Sequence, residues 1–236
     1  MLVFVYGGGL TSGSRNLPPP AELAYGNLGT YFSQRGFVTV IPDYRLSPDV
    51  KYPVAAQDVR DAIEWIVDHP ENLSFAGGTA DVESLYVMGH SAGCVNVVTA
   101  LLSPEVHSPS LQSKIKGVVL FSGAHVHDSA EVNTWQPDVV RDYYGGAEEI
   151  QKKLPLGLLQ NASDEMVRAL PRILVGTAEW DPPSFLAASN ILSDALAVRS
   201  VSHEHFVAKG HNHISVNFAL GAGECEDWAR EVIDWI

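Results

Sequence analysis

Ser91 stands in Gly89-His90-Ser91-Ala92-Gly93, a G-x-S-x-G sequence. The run before it, Leu85-Tyr86-Val87-Met88, has strand character, and the segment after it, with Cys94, Val95, Val97 and Val98, fits a helix. A serine on a sharp strand-to-helix turn is lifted clear of the backbone, where its hydroxyl can attack a carbonyl. Such a turn forces an unusual φ/ψ on the serine, and a side chain at either flanking glycine would collide with a neighbouring strand or helix. A bare G-x-S-x-G is a common turn. The strand and helix around this one mark it as a nucleophile elbow.

A serine hydroxyl is a weak nucleophile at neutral pH and needs a base, a carboxylate to orient that base, and donors for the developing oxyanion. The chain offers these in the order Ser, acid, His. For the acid, Glu179 and Asp181 compete in Gly176-Thr177-Ala178-Glu179-Trp180-Asp181-Pro182. Asp181 is favoured, because Pro182 and Pro183 stiffen the chain beside it. For the base, His211 and His213 compete in Lys209-Gly210-His211-Asn212-His213-Ile214-Ser215. His213 is preferred at a loop–helix junction, leaving His211 as a loop residue or supporting donor. The oxyanion donors are expected to be the backbone N–H groups of Ala92, Gly8 and Gly9. His90 is expected to point away from the site, and Cys94 to fill core space.

These groups need a scaffold that brings them to one edge. Six strand candidates alternate with helical stretches: Leu2–Tyr6, Phe37–Ile41, Leu85–Met88, Ile115–Phe121, Arg172–Gly176 and Val201–Val207. Alternation of this kind predicts an α/β fold, a mostly parallel central sheet with helices on both faces. The last strand is the least apolar and is expected at an edge. Ala55, Val59, Ala62, Ile63, Ile66 and Val67 recur at helical spacing after Pro53, and Cys225, Trp228, Ala229, Val232, Trp235 and Ile236 form a closing helical stripe. Between Gly123 and Leu170 no strand signal occurs. Part of that stretch, about 124–165, is read as a small cap insertion after the fourth predicted strand, with Trp135, Tyr143 and Tyr144 as candidate substrate contacts; its latter half reads as crossover helices.

With 236 residues, 46% of them hydrophobic, the chain can form a single domain over 1–236 with a sizeable core. A formal charge of −13, from scattered acidic residues, opposes nucleic acid or an anionic membrane as partner. No apolar run reaches the roughly 18 residues of a membrane-spanning helix. Met1 leads straight into a strand with no signal-peptide pattern, and two cysteines make a structural disulfide improbable, so a cytoplasmic location is expected. The sequons at Asn72 and Asn161 then read as idle matches. The pairs His125/His127, His203/His205 and His211/His213 invite a metal reading, but none has the three or four ligands of a zinc site, so neither metal nor cofactor is expected.

Several motifs together resemble the α/β-hydrolase superfamily, within it the hormone-sensitive-lipase-like and related small carboxylesterases of the fold-3 type. They are Tyr6-Gly7-Gly8-Gly9, Asp43-Tyr44-Arg45-Leu46-Ser47-Pro48 with Tyr52-Pro53 and Asp58, the elbow, Asp181 and the Gly210–Ser215 loop. The resemblance implies an ester hydrolase acting on small-molecule substrates, with Ser91 as nucleophile, Asp181 as acid and His213 as base. It also makes Arg45 and Asp58 a fold-stabilising pair. Tyr6 departs from the histidine usual before the glycines. Relatives carry further strands before the glycine run, so the resemblance implies that N-terminal strands are missing, through shortening or a lacking beginning, with loss of sheet edge and part of the pocket.

Two other functions compete: an amidase of the arylformamidase kind using the same triad, and a non-catalytic binding protein derived from a hydrolase. The acyl-chain length and the oligomeric state, a homodimer among the options, are not legible.

Overall fold

The computed structural model describes residues 1–75, 77–126 and 137–236. In chain order the elements open with β1 (Leu2–Val5), α1 (Ala24–Ser33), β2 (Thr39–Val40) and α2 (Val54–Asp68). A short hairpin of β3 (Ser74–Phe75) and β4 (Gly78–Thr79) precedes β5 (Leu85–His90), α3 (Ala92–Leu102), α4 (Pro109–Gln112) and β6 (Ile115–Phe121). Then come α5 (Pro137–Tyr144), α6 (Ala147–Lys153), α7 (Pro155–Asn161), α8 (Asp164–Arg168), β7 (Arg172–Trp180), α9 (Pro183–Val198), β8 (His203–Asn212) and α10 (Asp227–Trp235).

Six strands form one sheet in the order β2-β1-β5-β6-β7-β8, and every neighbouring pair is parallel. Near-continuous apolar runs build β1, β5 and β6, as strands covered on both faces require. Alternate residues serve opposite faces. On one face Val87 shares a small apolar cleft with Val59 and Ile63 of α2 and Val97 of α3. On the other, Phe4 meets Tyr25 of α1, while Tyr86 and Phe121 meet Trp235 and Trp228 of α10. The chain leaves β1 to one side for β2 and returns to the other side for β5. That reversal opens a crevice at the carboxyl ends of β1 and β5, the place where open parallel sheets carry their sites.

Each expected strand is present; Ile115–Phe121 keeps its ends and the others shift. The fifth continues through Trp180, because Thr177 and Ala178 keep pairing with Val207 and Ala208, and Trp180 with Asn212 after a register shift. The sixth begins at His203, runs to Asn212 and lies at an edge. The β3–β4 hairpin had no sequence signal. Cys225 lies outside the closing helix: it is exposed, in a left-handed conformation (φ 56°), two residues before α10 begins.

Within 124–165, His127 and Trp135 lie outside the described residues. Tyr143 and Tyr144 are buried against Tyr52, whose N–H donates to the Tyr143 carbonyl at 3.0 Å. α7 packs between α3 and α9 as a crossover helix. Among the described residues no helix is long and apolar enough to cross a membrane.

Candidate active site

The elbow forms as the spacing demands. Ser91, between β5 and α3, has φ 54° and ψ −122°, a conformation held by its N–H donating to the Phe121 carbonyl at 3.0 Å. A Cβ on Gly93 would sit 2.0 Å from the carbonyl oxygen of Val5, and one on Gly89 would sit 2.8 Å from the Cys94 backbone. Both glycines are therefore required for α3 to pass this close to β1 and β5.

The structure brings three distant side chains into line. The Ser91 Oγ lies 2.9 Å from Nε2 of His213, and Nδ1 of the same ring lies 2.8 Å from Oδ1 of Asp181. An ionised carboxylate only accepts, so Nδ1 carries a proton and donates it, leaving the Nε2 lone pair to face the serine hydroxyl. Asp181 follows β7 directly, and His213 lies one residue beyond β8. Glu179, the other carboxylate in this segment, accepts from the Gly210 N–H at 2.7 Å and fastens the two strand ends together. His211 donates from Nε2 to the Cys225 carbonyl at 2.7 Å and accepts at Nδ1 from the Ser215 hydroxyl at 3.2 Å. It anchors the C-terminal loop.

Burial pushes the Asp181 pKa up, but bonds from His213, Ser122 and the Ala178 N–H outweigh it and hold the group below the ordinary aspartate value. The carboxylate therefore stays ionised although its side chain is closed off from solvent. Burial raises the Cys94 thiol, which donates to the Gly89 and Phe121 carbonyls, as expected of a core residue.

Gly8 and Gly9 follow β1 with φ of 132° and 63°, in the region that favours glycine. Their loop is braced by the residue that departs from the family pattern. The Tyr6 ring stacks on Tyr44 at 4.8 Å, and its hydroxyl donates to Asp43 at 2.9 Å. Asp43 also accepts from the Arg15 N–H and pairs with its guanidinium, each at 2.8 Å. Arg45 grips Asp58 through two nitrogens, tying the following segment to α2.

His90 does not point away from the site. Its buried ring packs 4.9 Å from the ring of His213, whose neighbour Phe185 lies at 4.4 Å. The His90 Nδ1 meets the Asn217 amide at 3.3 Å. Burial, with His213 nearby, pushes the His90 pKa down to about 3, so it is neutral. Sequence reasoning also passed over Ser122, the residue after β6, whose hydroxyl donates to Asp181 at 2.6 Å. The available signal was a polar residue at the carboxyl end of a central apolar strand. His203 and His205 pack their rings 5.4 Å apart on the edge strand, and among the described residues no three His, Cys, Asp or Glu groups converge as metal ligands.

The profile of a family described as alpha/beta hydrolase fold matches residues 2–216, and the chain belongs to that family. It is 28% identical over 232 residues to carboxylesterase NlhH of Mycobacterium tuberculosis, covering 93% of this chain and 67% of that protein. It is 24% identical over 184 residues to the kynurenine formamidase of Drosophila melanogaster, spanning 78% of this chain and 58% of that protein's length. Among solved structures it resembles a fungal esterase of Rhizomucor miehei, with a TM-score of 0.75 at 22% identity, over 99% of this chain and 72% of the other.

Proposed function

We propose that the protein is a carboxylesterase-type serine hydrolase that cleaves small carboxylic esters through an acyl-enzyme. The observation carrying this reading is the unbroken hydrogen-bonded path Ser91–His213–Asp181 at the mouth of a strained elbow. In the first half-reaction, His213 Nε2 takes the Ser91 proton as Oγ bonds to the ester carbonyl carbon. The carbonyl oxygen becomes an anion facing the N–H groups of Ala92, Gly8 and Gly9, fixed donors that need no reorganisation. Ala92 opens α3, so the positive end of a helix dipole adds to the same place. The intermediate collapses, His213 returns its proton to the leaving alcohol, and Ser91 keeps the acyl group. His213 then deprotonates a water whose oxygen bonds to the acyl carbon. Collapse breaks the bond to Ser91 Oγ, which takes the proton back from His213, and the acid leaves.

The reading needs no metal or cofactor, and it takes part of residues 124–165 as the small cap. Trp180 and Ile214, beside the acid and the base, are 67% and 59% exposed and offer an apolar rim to a substrate.

A formamidase is the second reading, favoured by the fly relative. Both use one triad, so substrate separates them. Rates on p-nitrophenyl esters of increasing chain length are compared with the rate on N-formylkynurenine. The ester reading expects kcat/KM highest on a short-chain ester and a loss of about 10,000-fold or more in Ser91→Ala. Turnover unchanged in Ser91→Ala overturns it, and a higher kcat/KM on the formamide selects the alternative.

A further inference from the structure

The two oxygens of Asp181 are held by different parts of the sheet. Oδ1 faces His213, whereas Oδ2 accepts from the Ser122 hydroxyl at 2.6 Å and from the Ala178 N–H at 2.7 Å. Ser122 is fully buried. Its φ of 51° is one that residues other than glycine, asparagine and aspartate rarely adopt. The backbone is pinned there by its own N–H, which donates to the Gly176 carbonyl at 2.8 Å. Glycine would suit that conformation better and would lack the hydroxyl, so the position retains a strained residue whose side chain makes one short, charge-assisted bond.

We infer that Ser122 is a positioning residue for the Ser91–His213–Asp181 path: its hydroxyl fixes the Asp181 carboxylate plane and occupies Oδ2, so that Oδ1 is the oxygen presented to His213. The inference rests on the reading above. The titratable groups facing the carboxylate are His213 after β8, His90 at the end of β5 and Cys94 in α3. Removing the hydroxyl leaves a buried anion one donor short, which favours protonation of the Asp181–His213 pair.

The test compares Ser122→Gly with Ser122→Ala. Both lack the hydroxyl, but only glycine relieves the backbone. The glycine variant should melt at a higher temperature than the alanine variant. Both should lose kcat by roughly tenfold or more, and the acid limb of kcat/KM should move to higher pH in both. The low-field Nδ1–H resonance of His213, assigned by its loss in His213→Ala, should shift in both. A purely structural serine would instead let activity follow melting temperature, and wild-type kcat in the glycine variant would overturn the inference. So would an unmoved Nδ1–H resonance, a readout that needs no turnover. A wild-type protein that hydrolyses no ester would count against the proposed function alone, and the resonance would still decide the role of Ser122.

Discussion

The imidazole of His90 lies against that of His213, ring centroids 4.9 Å apart and planes tilted by 40°. Phe185 packs against the same ring, so His213 is clamped by apolar and neutral surfaces while its two nitrogens are committed to Ser91 and Asp181. The residue before Ser91 thereby helps to set the orientation of the His213 ring, and Asn217 ties it to the segment that carries His213.

His90→Ala frees one face of the His213 ring. Small misplacements of a catalytic group cost up to about 100-fold in rate, so kcat should fall roughly 10- to 100-fold with KM changed less. His90→Phe keeps a ring on that face and should retain most of the activity. Steady-state kinetics on one ester decides this. A folded alanine variant with wild-type kcat would contradict the clamp.

Acid should destabilise the protein well above the pH at which carboxylates titrate. His90 and His125 are buried with pKa values pushed from 6.5 down to about 3, burial being the largest cause. Between those values the unfolded chain binds two protons that the native state refuses. Stability therefore falls as the pH drops through that window, by about 1.4 kcal/mol per unit for each histidine. Asp181 adds a loss lower down, because its native pKa is depressed: its stabilisation is present above the ordinary aspartate value and disappears as the pH falls through the native one. Urea unfolding at several pH values measures the slope. His125→Leu should lower it by about one proton, and a flat profile would contradict this burial.

Glycines at the elbow and in α1 should respond in opposite directions. A Cβ on Gly93 would meet the carbonyl oxygens of Val5 and Tyr6 at 2.0 and 2.7 Å, backbone atoms that cannot turn aside. Gly93→Ala should cost about 3 kcal/mol or more. A Cβ on Gly29, inside α1, would meet nothing within 4 Å beyond its chain neighbours and the helix's own backbone, and Gly29→Ala should gain about 0.5–1 kcal/mol. Urea midpoints compare the two, and a tolerated alanine at Gly93 would contradict the close approach of α3 to β1.

Much of this arrangement was legible in the sequence, for physical reasons. Apolar runs such as Leu2–Val5 and Ile115–Phe121 announce strands covered on both faces, and Gly89 and Gly93 announce the tight turn around Ser91. Asp181 and His213, which the structure brings into line with Ser91, stand out in the sequence because each follows a strand. What stayed hidden depends on cross-strand neighbours. Nothing local to Thr177–Trp180 says that β7 continues, since its pairing with β8 does that work. The role of Ser122 depends on β6 and β7 lying side by side, and that of His90 on a loop more than a hundred residues away. Tyr143 and Tyr144, attractive as substrate contacts in the sequence, are buried against Tyr52.

The central claim is that Ser91 is an activated nucleophile, and covalent labelling tests it most directly. The folded protein is treated with a fluorophosphonate and the modified peptide is located by mass spectrometry. One adduct is expected, on Ser91, absent in Ser91→Ala and formed far more slowly in His213→Ala. A folded wild-type protein that takes up no label, or takes it on another serine, would contradict the claim and favour a binding protein without catalysis.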